Sequence, residues 1–282
     1  MTMLPPSHLI AQQVAVALAE DIGRADWTAL LIPADRPGRA TILVRQAAIV
    51  CGQAWLEEVF RQIAPTVEVK WQVQEGDSVA RDTVLCELSG PARALLTGER
   101  TALNFLQTLS AVATETARYV AQTEGTSARI HDTRKTLPGL RLAQKYAVRV
   151  GGGKNQRIGL YDGILIKENH IAAAGGIAPV MAAALRLAPP DVTIQIEVET
   201  LAELDEALAA GARSVLLDNM SLADMREAVR RSAGRAVLEA SGGVDLDSVR
   251  AIAETGVDRI SVGKLTKDVQ AVDLSMRFAF AD

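Results

Sequence analysis

Between Arg129 and Lys167 the chain carries nine lysines or arginines and only two acids, Asp132 and Asp162. The 282 residues together have a net charge of −4, so this block holds an excess of +7 against the sign of the rest. Solvated helix faces usually mix signs, and a one-sign block in an acidic chain points to an anion site. It reads RIHDTRKTLPGLRLAQKYAVRVGGGKNQRIGLYDGILIK, with a Pro-Gly turn, an amphipathic stretch and a triple glycine. Apolar residues run through it, as they do not in a disordered basic tail. The expectation is a folded pocket for a small, highly charged anion.

Further groups recur at the ends of short apolar runs. Ala128 to His131 leads into Asp132, Thr133, Arg134 and Lys135, and Gly163 to Ile166 leads into Lys167, Glu168, Asn169 and His170. Thr193 to Val198 contains Glu197, and Ser214 to Leu217 stops at Asp218 and Asn219. Ala236 to Leu238 precedes Glu239 and Ser241-Gly242-Gly243, and Arg259 to Val262 precedes Gly263 and Lys264. Glycine lets backbone N–H groups approach a phosphate, so the last two ends read as phosphate loops. Glu197 and Asp218 suit a hard cation such as magnesium, which takes one or two carboxylates, waters and substrate phosphates. An ion pair with a neighbouring lysine is the plainer reading of Glu197. There is no HExxH and there are three histidines, His8, His131 and His170, which argues against a dedicated zinc site. His170 reads as a hydrogen-bonded structural residue before a base, and His131 receives no role.

These groups need a scaffold. From about residue 127, apolar runs alternate with helix-like segments such as 200–210 and 245–255, which implies a parallel sheet. Six or seven such units suggest an incomplete TIM-type barrel, whose active site lies at the C-terminal ends of the strands. A doubly wound open sheet is the competing layout. Before it, residues 9–20 and 91–122 are helical in pattern. Strands are expected at Thr41–Val44, Ala48–Val50, Val67–Val73 and Val84–Leu88, giving an α+β domain with an antiparallel sheet. Aromatics are only 4% of the chain and its pI is near 5.6, which argues against a nucleic-acid partner. No apolar stretch approaches a membrane span and no signal peptide is visible, so a cytoplasmic location is expected. Cys51 and Cys86 lie in apolar, strand-like segments and read as buried free thiols rather than a disulfide.

Several motifs together resemble the quinolinate phosphoribosyltransferase family. They are ERTALNFLQTLSAVAT at 99–114, DTRKTLPGLR at 132–141, KYAVRVGGGKNQR at 145–157, LIKENH at 165–170, EVE at 197–199, LLDN at 216–219, SGG at 241–243 and SVGKLT at 261–266. The resemblance covers nearly the whole chain in order. It implies an N-terminal α/β sandwich over 1–115 including an interdomain helix, an incomplete barrel of about six strands over 116–270, and a terminal segment, 271–282, returning to the first domain. The implied reaction joins quinolinate to phosphoribosyl pyrophosphate with magnesium, releasing pyrophosphate and CO2 and giving nicotinate mononucleotide for NAD synthesis.

By motif, the dicarboxylate-binding arginines fall on Arg134 and Arg157, with Thr133 in the same stretch. Arg100 would enter from the neighbouring subunit of a homodimer. Lys135 and Lys167 look like ligands of the phosphoribosyl donor and of the departing carboxylate. Glu197 and Asp218 match the acids around the ribose hydroxyls and magnesium. Ser241, Gly242, Gly243, Val262, Gly263 and Lys264 match the phosphate loops. Two positions depart from the pattern: Gln156 stands where the family often has His, and Lys264 replaces a small residue. Gln donates hydrogen bonds but does not titrate near neutrality, so a contact role is expected there. The residues also leave room for a Schiff-base enzyme using Lys167, for a relative acting on nicotinate, and for a non-catalytic polyanion sensor.

Overall fold

The computed structural model describes residues 4–279. They divide into two compact units, one drawn from residues 4–117, 137–152 and 269–279, the other from Arg118–Thr136 and Gly153–Asp268. In chain order the elements are α1 (Ser7–Ile22), β1 (Pro37–Val44), β2 (Ala48–Ile49), α2 (Gln53–Ile63), β3 (Glu68–Trp71), β4 (Ser78–Val79), β5 (Val84–Pro91) and α3 (Ala92–Gln122). There follow β6 (Arg129–His131), α4 (Arg141–Val150), β7 (Gly163–Ile166), α5 (Glu168–Ala174), α6 (Ile177–Leu187), β8 (Thr193–Val198) and α7 (Leu201–Ala209). The chain continues with β9 (Ser214–Asp218), α8 (Leu222–Ser232), β10 (Val237–Ser241), α9 (Val249–Ala253), β11 (Arg259–Ser261), α10 (Lys264–Lys267) and β12 (Leu274–Ala279).

The first unit is built on an antiparallel sheet in the order β12-β1-β5-β3. The short β2 pairs with β4 and stays outside that sheet. Helix α1 buries Ile10, Val14 and Leu18, one residue per turn on a single stripe. Helix α2 buries Trp55, Leu56, Val59 and Phe60 by the same periodicity. In α3, Leu95, Leu103, Leu106 and Leu109 are all buried. The amphipathic stretch of the basic block forms α4, whose Tyr146 ring lies 5.8 Å from that of Trp55. The span expected as one continuous second domain, 116–270, is therefore interrupted by Leu137–Gly152, because α4 has an apolar face that packs in the first unit. Cys51 and Cys86 are buried free thiols, and burial pushes Cys86 up to about 12.

The second unit is a six-stranded parallel sheet in the order β6-β11-β10-β9-β8-β7. Strands β7 to β11 lie in sequence order, and the first strand sits beside the last. A doubly wound sheet reverses its strand order at a switch point. This one is a barrel order opened at a single seam, between β6 and β7. Residue 154 runs along the outer side of β6 at that seam. Its N–H donates to Ile130 O at 2.8 Å, and its carbonyl accepts from Asp132 N at 3.1 Å. Strand β10 is longer than expected. It runs on through Glu239 to Ser241, pairing with β9 from Val237–Ser214 to Ser241–Asp218. Glu239 is thus inside the strand, not beyond it.

Caps set where the helices begin. Thr200 and Glu203 form a reciprocal capping box at α7, and the Ser221 hydroxyl accepts from Asp224 N at 3.1 Å at α8. His170 Nδ1 accepts from Lys167 N at 3.0 Å at the start of α5, the structural role expected of it. No single helix among the described residues is long and apolar enough to cross a membrane.

After α4 the chain passes close to α3. A Cβ at Gly151 would lie 2.3 Å from the Ala113 carbonyl oxygen, and the backbone of α3 cannot move aside cheaply. Gly151→Ala is expected to cost about 1–3 kcal/mol, the usual range for overpacking. A thermal or urea melt should show it, while Gly125→Ala, in open space but at positive φ, reports backbone strain alone.

Candidate active site

Arg134, Arg157 and Lys167 share one cleft of about 180 Å³ in the second unit. Also around it are Thr133, Lys135, Gln156, Leu165, Gln195, Glu197, Leu216, Glu239, Ser241 and Ser261. The strand residues come in pairs two apart: 165 and 167, 195 and 197, 239 and 241. Side chains two apart on a strand face the same way, so one row per strand points into the cleft. Register aligns the rows across the sheet, with Leu165 beside Gln195, and Glu197 and Glu239 on either side of Leu216.

The two arginines come from different segments, just after β6 and just after residue 154. Burial lowers the Arg157 guanidinium from its ordinary value, and the charge of Arg134 lowers it further, while Asp162 opposes both. Two cations held near each other in a partly dry cleft leave a strong field for a bound anion. Arg157 Nη1 donates to the Gly163 carbonyl at 2.7 Å, which fixes one end of its fork. Asp132 positions the segment before it. Asp132 is fully buried, and accepts from Asn155 Nδ2 at 2.6 Å and from Gln156 N at 2.8 Å.

On the opposite wall Lys167 Nζ sits 3.2 and 3.4 Å from the two oxygens of Glu197. The plainer reading of Glu197 therefore holds, and this ion pair opposes the neutral amine that a Schiff base needs. Burial raises the Glu197 carboxyl, Lys167 lowers it, and the charges of Asp218 and Glu168 raise it again. The Glu197 carboxyl thus senses Asp218. Among the described residues no three of His, Cys, Asp and Glu are grouped to hold a metal. Two neighbouring carboxylates fit a cation shared with substrate oxygens better than one caged by protein.

The phosphate-loop candidates lie around this wall. Gly242 has φ +101°, and a Cβ there would fall 2.1 Å from Asn219 Oδ1, so only glycine fits the crossing. Gly243 also has positive φ and is open. Lys135 lies over Gly263, its Cδ 3.1 Å from where a Cβ would be, and its carbonyl accepts from Thr266 Oγ1 at 2.8 Å. Val262 is buried and its N–H donates to His131 O at 2.9 Å, so that N–H belongs to the sheet rather than to a ligand. Lys264 is exposed; the Asp245 carboxyl is lowered chiefly by hydrogen bonds from Ser248, and only in small part by the charge of Lys264. Arg100 is exposed on α3, in the first unit, and does not line this cleft. Arg141, Lys145 and Arg149 lie on α4, so the basic block does not converge as a whole: four of its nine cations line the cleft.

From the sequence, Glu239 is a run-end acid with no role, Ser261 belongs to a glycine loop, and Gln195 is not singled out at all. Glu239 is fully buried and accepts from Gln156 Nε2, and from Gln195 Nε2 at 3.0 Å. Burial raises its carboxyl, with Gln195, Ser261, Gln156 and the charge of Arg259 opposing. The available signal was period two: Gln195 and Glu239 each stand two residues before a residue already singled out.

The family profile described as quinolinate phosphoribosyl transferase, N-terminal domain, matches residues 26–110, and that of the C-terminal domain matches residues 112–277. A probable nicotinate-nucleotide pyrophosphorylase [carboxylating] of Bacillus subtilis is 43% identical over 91% of this chain and 89% of its own. A quinolinate phosphoribosyltransferase [decarboxylating] of Nicotiana tabacum is 36% identical over 97% of this chain and 84% of its own. The solved nicotinate-nucleotide pyrophosphorylase of Francisella tularensis superposes with a TM-score of 0.95 at 44% identity, covering 99% of each chain.

The coupling of Glu197 to its neighbours has a measurable sign. A carboxyl titration by ¹³C NMR, assigned by the loss of one signal in Glu197→Gln, should give a pKa above the ordinary value of about 4.3. Asp218→Asn should lower it by removing a negative neighbour, and Lys167→Met should raise it. Unchanged values in both variants would mean that the three groups act independently.

Proposed function

The chain belongs to the quinolinate phosphoribosyltransferase family, and we propose how its residues divide the work of that reaction. On this reading the second unit binds quinolinate and phosphoribosyl pyrophosphate, and the products are nicotinate mononucleotide, pyrophosphate and CO2. The observation that carries it is the meeting of Arg134 and Arg157, two cations crowded in one cleft, opposite the Lys167–Glu197 pair.

Arginine suits the diacid because its planar fork matches both oxygens of a carboxylate. Arg134 and Arg157 hold quinolinate by its two carboxylates, and the anion offsets their mutual repulsion. Lys135, beside Gly263, is a point charge for phosphate. Ser241, Gly242 and Gly243 contribute a hydroxyl and unobstructed backbone to the phosphate end. As the bond from the sugar carbon to pyrophosphate lengthens, positive charge grows on the ribose ring. The carboxylate of Glu197 stabilises that charge, and Lys167 holds Glu197 in place while facing the carboxylate to be lost. The pyridine nitrogen forms the new bond to the sugar carbon and becomes cationic. The C–C bond to the adjacent carboxylate then breaks, its electrons pass to the ring, and a proton replaces the departing CO2. Magnesium, held by Glu197 and Asp218 together with substrate oxygens, would neutralise charge on the pyrophosphate.

We further infer a homodimer in which Arg100 serves the partner's cleft. Its exposure on α3 supports that reading. A cytoplasmic site of action accords with two buried, reduced cysteines.

Incubation with quinolinate, phosphoribosyl pyrophosphate and magnesium should yield nicotinate mononucleotide and one CO2 per turnover, with loss of activity under EDTA. Nicotinate lacks one carboxylate and leaves a cation desolvated and unpaired. Discrimination of at least about a hundredfold in kcat/KM is expected, since a charge-assisted bond contributes about 1.5–3 kcal/mol and a stranded charge costs more. Comparable turnover of nicotinate would contradict the two-arginine assignment. For the shared site, mix Arg100→Ala with Lys135→Ala protein. After subunit exchange, hybrid dimers hold one intact cleft and should regain activity; no recovery would reject sharing.

A further inference from the structure

Glu239 has a place in the cleft that the reaction described above leaves without a purpose. It is fully buried on β10, two residues before Ser241, and an ionised carboxyl there carries a large desolvation cost. A neutral or apolar residue would fill the same space more cheaply. What the carboxyl does is join three segments. One oxygen accepts from the Gln156 amide at the seam of the barrel and the other from Gln195 on β8 at 3.0 Å, so the seam segment, β8 and β10 are tied together. Gln156 is the residue before Arg157, and its backbone N–H is held by the second fully buried acid, Asp132, at 2.8 Å. The dipeptide that brings Arg157 to the cleft is therefore held at its main chain by one buried carboxyl and at its side chain by another.

A carboxylate only accepts hydrogen bonds, so it decides which end of a facing amide turns toward it. Glu239 draws in the nitrogen of Gln156 and turns the carbonyl oxygen away. An amide at position 239 would allow either orientation, because it offers one donor end and one acceptor end.

We propose that Glu239 is a positioning residue for the dicarboxylate end of the cleft, acting through the side chain of Gln156 on the Gln156–Arg157 dipeptide. This rests on the reading that Arg157 holds quinolinate. It assigns no contact between Glu239 and either substrate, and it leaves the phosphate end, built by Lys135 and the two glycine loops, outside the reach of Glu239.

The test is a double-mutant cycle read separately for the two substrates. Glu239→Gln should raise KM for quinolinate about tenfold, the effect of losing one hydrogen bond to a charged group. KM for phosphoribosyl pyrophosphate should change by less than about twofold, within a few tenths of a kcal/mol. In a Gln156→Ala background, where the tether is already gone, Glu239→Gln should add no further rise. Glu239→Asp keeps the acceptor on a shorter side chain and should fall between wild type and Glu239→Gln. A thermal melt and a titration of phosphoribosyl pyrophosphate binding show that each variant is folded. An equal rise in both KM values, or the full additional loss in the Gln156→Ala background, would overturn the proposal and make Glu239 a structural residue of the barrel. Absence of nicotinate mononucleotide from the wild-type protein would instead overturn the functional reading, so the two failures are distinguishable.

Discussion

Like charges kept close together are the condition that the second unit has to sustain. Arg134 and Arg157 repel in a cleft of about 180 Å³ that is partly shielded from water. Left to local preferences, the two loops bearing them would move apart. They are held by anchors that lie outside the anion-binding surface. Asp132 fixes the backbone at Gln156, Gly163 O takes one guanidinium nitrogen, and residue 154 is bonded along β6. Those anchors set the separation of the two guanidinium groups independently of any bound anion. On the proposed function, a dicarboxylate between them would meet both charges at once.

The buried acids make the arrangement possible. Asp132 and Glu239 are both fully buried, at a cost that only dense hydrogen bonding offsets. Each is satisfied by donors from segments distant in sequence: Asn155 and Gln156 for Asp132, and Gln156 and Gln195 for Glu239. Gln156 is common to both. At this position a histidine would also donate to Glu239, but it would bring a titrating group against a buried carboxyl. Glutamine keeps the donor and removes the titration.

The opposite wall works by a different rule. Lys167 and Glu197 are an ion pair at the rim, with Asp218 close enough to disturb Glu197. Such a pair contributes little stability where water reaches it. Its consequence is that both side chains are oriented, each holding the other in place at the cleft. Near it, glycine at 242 is required by the approach of Asn219, a steric reason separate from any contact with phosphate.

Charge and periodicity, which are properties of the linear chain, determined the parallel second unit, the antiparallel first unit, and a set of candidate cations and acids, among them Arg134, Lys135, Arg157, Lys167 and Glu197, which share the cleft. They sufficed because net charge, strand alternation and glycine turns act over a few residues. Three things were left to tertiary structure. The amphipathic stretch 141–150 reads as part of the basic block, yet its apolar face packs in the first unit and takes Arg141, Lys145 and Arg149 with it. The order of strands, with β6 beside β11, distinguishes a barrel opened at one seam from a doubly wound sheet, and no local pattern encodes which strands pair. Glu239 looks like a residue beyond a strand until β10 is seen to continue through it, pointing its carboxyl at donors 44 and 83 residues away. A buried charge is stable only with partners, and partners that far along the chain meet only once it has folded.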